Sequence, residues 1–154
     1  LRNERALGGP IRGAQERRRR GGTENVVGIA GFGAVAGPLG DVSALRDRLE
    51  ARLEGAVFYG RDSPRLANTS CIGMPGVSNE TQVMAFDLEG FAVSAGAACS
   101  SGKVGASHVL LAMGVDETAA GEAIRVSVGP GVTEEEIEAF ADAWNRLATR
   151  LGRR

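Results

Sequence analysis

Cysteine is scarce in this chain: two in 154 residues, Cys71 and Cys99, with no CxxC pair between them. His108 is the sole histidine, so nothing has the ligand spacing of a zinc site and no disulfide framework is suggested. No metal is expected, and a reducing, cytoplasmic setting is. No apolar run approaches the roughly 20 residues of a membrane span. The N-terminal region, rich in Arg and Gly, lacks the apolar core of a secretory signal, so no membrane partner is expected. Aromatic residues make up 5% of the chain, and none is interleaved with Arg17-Arg18-Arg19-Arg20. A surface that stacks nucleic-acid bases is therefore not expected either.

What is present suits one globular domain with a tail. The length allows a sizeable core, and the hydrophobic and charged fractions, 43% and 24%, are those of a folded soluble chain. Net charge is −1, but it is unevenly placed. Residues 1–22 hold Arg2, Arg5, Arg12 and Arg17 to Arg20 among several glycines, and read as a basic arm or loop. The chain starts at Leu1 rather than methionine, which suggests a fragment or a processed product.

Thr23 is placed to cap a helix over 24–36, apolar nearly all round through Val26, Val27, Ile29, Phe32 and Val35 and therefore expected to be buried. Asp41 or Ser43 caps a second helix over 41–54, with Val42, Leu45, Leu49 and Leu53 on one stripe and the Arg and Glu residues toward water. Short strands are predicted at Val57–Tyr59 and Leu66–Ile72, around a turn from Gly60 to Pro64. A helix over 79–88 capped by Ser78 comes next, although its apolar residues would also allow a strand. Phe91–Ser94 reads as a strand, Ser107–Met113 as a helix closed by Gly114, and Ala123–Val128 as a strand with Ile124, Val126 and Val128 on one face and Arg125 and Ser127 on the other. The last helix, over 133–151, is announced by Thr133 and Glu136 as a capping box and by apolar residues at helical spacing.

Chemistry concentrates in Ser94-Ala95-Gly96-Ala97-Ala98-Cys99-Ser100-Ser101-Gly102-Lys103. Gly, Ala and Ser give this stretch no strong helix or strand preference and nothing bulky to cover the thiol. Cys99 is either a reactive nucleophile, with Lys103, His108 and the following helix start nearby, or a small buried residue. Cys71, inside an apolar strand, reads as core. Arg125 can clamp a carboxylate with its planar fork or form a surface ion pair. Thr23, after Gly21-Gly22 at a helix start, is a phosphate cradle or a plain cap.

These features occur together in one family. In Gln15-Glu16-Arg17, Arg19 to Val26, Asn68-Thr69-Ser70, the Cys99 stretch, Ser107 to Leu110 and Ala123 to Ser127, the chain resembles the C-terminal part of cysteine desulfurases. These are pyridoxal-phosphate enzymes of the class-V aminotransferase group that supply sulfur for iron–sulfur clusters. The resemblance implies that Cys99 takes the sulfur of L-cysteine as a persulfide, leaving alanine, that Arg125 holds the substrate carboxylate, and that Thr23 reaches the cofactor phosphate across a homodimer interface. It implies an iron–sulfur scaffold or another sulfur-acceptor protein as partner, reached by a swinging Cys99 loop, and a structural role for His108. The family has glycine where this chain has Arg12, Ala14 and Arg18, and proline at Ala67 and Ala106. The His-Lys pair whose lysine binds the cofactor is not in this sequence, whose only lysine is Lys103. The isolated chain is accordingly expected to be inactive.

The expected fold is α+β: the small C-terminal domain of a fold-type I pyridoxal-phosphate enzyme. It has a short mixed or antiparallel sheet covered by the helices at 41–54, 79–88 and 133–151. Residues 1–22 are expected to be arm, 23–40 a helix and linker on the large-domain side, and 41–154 the small domain with a cysteine loop over 94–106. In a fragment the 24–36 helix would expose an apolar face. Two other functions remain open, a non-catalytic remnant or partner-binding module and a related enzyme such as a selenocysteine lyase.

Overall fold

A computed structural model describes residues 13–18, 21–37, 40–96 and 105–152. The chain divides into two compact units at the junction of residues 39 and 40.

In the first unit, Gln15–Arg18 form a single helical turn (α1) where loop was expected. Val26–Val35 form α2, two residues later than predicted. Its cap is Asn25, whose Oδ1 accepts from the Gly28 N–H at 3.0 Å; Thr23 lies before the cap and does not perform that role. None of the residues of α2 is buried, and Phe32 is 75% exposed. The burial expected from its all-round apolarity is therefore not seen among the described residues, and the helix exposes its apolar side chains.

The second unit holds the remaining elements. Ser43–Arg52 form α3, Val57–Tyr59 β1, Thr69–Gly73 β2, Asn79–Leu88 α4, Ser94–Ala95 β3, His108–Ala112 α5, Glu117–Gly121 α6, Ala123–Ser127 β4 and Glu134–Leu151 α7. The strands make one antiparallel sheet in the order β1-β2-β4-β3. Two strands differ from expectation. β2 starts at Thr69 rather than Leu66, because Ala67-Asn68 are a turn. β3 is only Ser94–Ala95, because Phe91 and Val93 pack against the core without pairing to a neighbour. α6, capped by Asp116, was not anticipated.

The sheet buries both faces. On one, Phe58, Ile72, Ile124 and Ala95 share a cross-strand row and pack with Leu49 and Leu53 of the α3 segment, Phe86 of α4 and Ile137, Phe140, Trp144 and Leu147 of α7. Trp144 is fully buried and stacks on Phe86, with ring centroids 6.1 Å apart. Phe140 bridges Phe86 and Phe91. The other face carries a smaller cluster, Leu110, Ala120 and Ala123 with Tyr59 and Cys71 against it. The capping box at Thr133 and Glu136 forms in both directions, and Asn145 of α7 donates to the Arg52 carbonyl, tying down the C-terminal end of α3.

α3 departs from its expected pattern in a second way. Arg46 and Glu50 are buried rather than facing water. The buried Glu50 carboxylate accepts hydrogen bonds from Arg61, Arg65 and Ser70 Oγ, while Arg46 donates to the Leu66 carbonyl at 2.8 Å. Both side chains therefore fasten the turn between β1 and β2 to the helix. A buried charge is tolerated only when paired and hydrogen-bonded in this way.

Candidate functional site

The site is built on a lateral row of four residues, one from each strand. Tyr59 of β1 is opposite Cys71 of β2, Cys71 is opposite Arg125 of β4, and Arg125 is opposite Ser94 of β3. Because side chains alternate along a strand, this row faces away from the row of Phe58, Ile72 and Ile124. That parity puts an arginine on a sheet whose opposite face is core.

Arg125 is exposed and makes no hydrogen bond or ion pair with a described residue. Beside it lies a cavity of about 270 Å³ whose walls include Tyr59, Cys71, Ser107, Leu110, Met113 and Arg125. Among the described residues the lining is mostly apolar with one cation, which suits a small ligand carrying a carboxylate. Burial pushes the Cys71 thiol up, and the Arg125 charge only partly opposes it, so Cys71 is held as the neutral thiol. Burial also raises the Tyr59 hydroxyl, helped by Cys71, Asp116 and Glu122. Ser107 is occupied as the α5 cap, its Oγ accepting from the Leu110 N–H.

Of the residues singled out in the sequence, Arg125 is thus placed at a cavity. Thr23 is exposed and belongs to the other unit. Cys99 and Lys103 lie outside the described residues. His108 is the exposed first residue of α5. No cluster of three or more His, Cys, Asp or Glu among the described residues could hold a metal, and no helix of the described residues is long and apolar enough to cross a membrane. Sequence reasoning missed Tyr59 and the wall formed by Cys71. Both share strand parity with Arg125, but the register that aligns them is a property of the folded sheet.

A model of the class-V aminotransferase family matches residues 11–140. The chain belongs to that family. A relative with the name cysteine desulfurase, from Cereibacter sphaeroides, is 45% identical over 148 residues, covering 90% of this chain and 38% of its own length. The X-ray structure of a NifS-like protein from Rickettsia africae ESF-5 superposes with a TM-score of 0.73 at 32% identity, over 90% of this chain and 39% of that one. A structure of SspA in complex with cysteine matches at 30% identity and a TM-score of 0.53, over 77% of this chain and 34% of that one. The class-V chain therefore spans less than two fifths of the length of these relatives.

Class-V aminotransferases use pyridoxal phosphate. The described residues include a cation for a carboxylate and, in Thr23, an exposed hydroxyl, but no lysine to form the imine that anchors the cofactor. The donor set of this class-V chain does not fit the whole cofactor.

Proposed function

We propose that the chain is the C-terminal part of a cysteine desulfurase, with Cys99 as the sulfur carrier and Arg125 as the carboxylate clamp. The observation that carries this reading is Arg125, unpaired among the described residues beside a small cavity, in a chain 45% identical to a cysteine desulfurase over the matched length. In the proposed reaction L-cysteine and the Cys99 thiol give L-alanine and a Cys99 persulfide. The carbon–sulfur bond of the substrate breaks and a sulfur–sulfur bond forms at Cys99, with no net oxidant required. Pyridoxal phosphate, if held by the rest of the intact enzyme, would supply the electron sink. Thr23 contributes to its phosphate contact from the partner subunit of a homodimer, and the persulfide passes to an iron–sulfur scaffold or another sulfur acceptor in the cytoplasm.

Two outcomes test the assignment. Iodoacetamide at neutral pH, followed by peptide mass mapping, is expected to label Cys99 about tenfold or more faster than Cys71, whose thiol is held up by burial. Equal rates remove the special role of Cys99. Adding pyridoxal phosphate to the chain alone is expected to give no lasting lysine-linked visible absorption, and alanine production from L-cysteine at the level of the buffer blank. A stable band that survives gel filtration overturns the inactivity of the isolated chain.

A further inference from the structure

Taking Arg125 as the carboxylate clamp, as the reading above has it, we propose that Tyr59 and Cys71 are the specificity-determining residues of that site and restrict its ligand to an amino acid with a short side chain. Residues directly opposed on neighbouring antiparallel strands have Cβ atoms about 4.5–5.5 Å apart. Along this row the cavity beside Arg125 reaches Cys71 first. It meets Tyr59 two strand spacings away, about 9.5 Å from β4.

Tyr59 is a fixed end wall. Gly73, two residues after Cys71 on the same strand face, lets the ring approach closely: a Cβ there would stand 3.0 Å from the Tyr59 hydroxyl oxygen and 3.1 Å from a ring carbon, tight enough that the ring would have to shift by a few tenths of an ångström. On its far side the hydroxyl lies 3.5 Å from the Ala119 carbonyl, at the outer limit of a hydrogen bond. The ring is thus confined between β2 and α6. Leu110, buried, and Met113 close a further side of the cavity. The cavity volume, about 270 Å³, is smaller than the roughly 300–1,000 Å³ of sites that take drug-sized molecules. Cys71 sets the width of the passage: its side chain is small, apolar as the neutral thiol, and adjacent to the clamp. A larger residue at that position narrows the space next to the carboxylate, and loss of the Tyr59 ring lengthens the space beyond it.

Tyr59 and Cys71 also pack against the small cluster around Ala120, so a loss of affinity alone would not separate specificity from structural support. The ratio of two affinities does. The full 154-residue chain is titrated under reducing conditions with L-cysteine, L-leucine and cysteamine, which lacks the carboxylate, and followed by amide NMR shifts at Cys71, Ile124 and Arg125. L-Cysteine is expected to shift these signals, L-leucine to bind about tenfold more weakly or worse, and cysteamine to have no effect. Tyr59→Ala is expected to bring the two amino acids to within about twofold of each other, and Cys71→Leu to weaken L-cysteine about fivefold or more. Each variant is checked for cooperative unfolding, and Tyr59→Leu replaces Tyr59→Ala if the latter does not fold.

If L-cysteine binding is lost in Arg125→Gln while the leucine-to-cysteine ratio stays the same in the Tyr59 and Cys71 variants, the specificity assignment is wrong and the carboxylate clamp stands. If the L-cysteine shifts persist in Arg125→Gln, or no amino acid shifts the signals, the clamp itself is wrong and the specificity assignment goes with it.

Discussion

Replacing Glu50 by alanine is expected to destabilise the second unit by about 3–5 kcal/mol, measured by urea unfolding of the chain. The carboxylate is buried at 4% exposure, and its removal deprives Arg61, Arg65 and Ser70 of their common acceptor. It also releases the turn that joins β1 to β2. Glu50→Gln is expected to cost less, about 1–3 kcal/mol, because Arg61 remains half exposed to water while the amide keeps the shape and one acceptor oxygen. The same group sets the acid limb of stability. Burial by itself would raise the Glu50 carboxyl, but the hydrogen bonds from Arg65, Ser70 and Arg61 and the charge of Arg65 reverse this and bring it from 4.5 to about 2. A carboxyl depressed in the folded state stabilises fully above its unfolded value and loses that contribution as pH falls through the folded one. The unfolding free energy is therefore expected to drop by about 3 kcal/mol between pH 4.5 and pH 2 in the parent chain, with a flatter profile in Glu50→Gln. A cost below about 1 kcal/mol for Glu50→Ala would show that the network adds little beyond ordinary surface pairing.

Trp144→Ala is expected to have an effect of similar size, a loss of about 3–5 kcal/mol in the same measurement. The indole has no solvent exposure and lies against Phe86, which in turn contacts Phe140. Its removal would empty the centre of the larger core rather than an edge. Trp144→Phe separates packing from polarity. The indole Nε1 has no hydrogen-bond partner among the described residues, so replacing it forfeits no bond and removes a buried donor that is itself unfavourable. The phenylalanine variant is expected to cost less than half as much as the alanine variant. Equal costs would indicate that the nitrogen is satisfied after all, for instance by a bound water molecule.

Legibility in the sequence followed the range of the interactions. α7 could be read almost to the residue because its two signals, the Thr133–Glu136 box and the recurrence of apolar side chains, are local. α4 was marked by Ser78 and its stop near Gly90, whose φ of +85° suits glycine, but its apolar residues alone also allowed a strand. By contrast, Arg46 and Glu50 looked like water-facing charges because their complements lie 11 to 20 residues further along, in the β1–β2 connection and at Ser70 of β2. Leu66 looked like strand because it is apolar, yet it is 70% exposed. α6 escaped notice because Glu117–Gly121, with Ala and Gly in its last three positions, carries no apolar period. For the site, alternation within Ala123–Ser127 was enough to turn Arg125 out of the larger core. Placing Tyr59 and Cys71 beside it required the pairing of three strands distant in sequence, which no local pattern encodes.

The strand order carries a further consequence for how the site comes into being. β4 is the last strand in the chain, yet it sits between β2 and β3, and β3 pairs with no other strand. Until residues 123–127 are in place there is no sheet to join the hairpin of β1 and β2 to the segment that leads into the cysteine stretch. The cavity then lacks its cation and the wall formed by Ala123 and Ile124. Closing β2 onto β4 spans some 50 residues, so the entropy of a long loop must be overcome in the same event that creates the binding surface. Assembly of the site and completion of the fold are thus one cooperative step, and a nascent chain that stops short of β4 has neither.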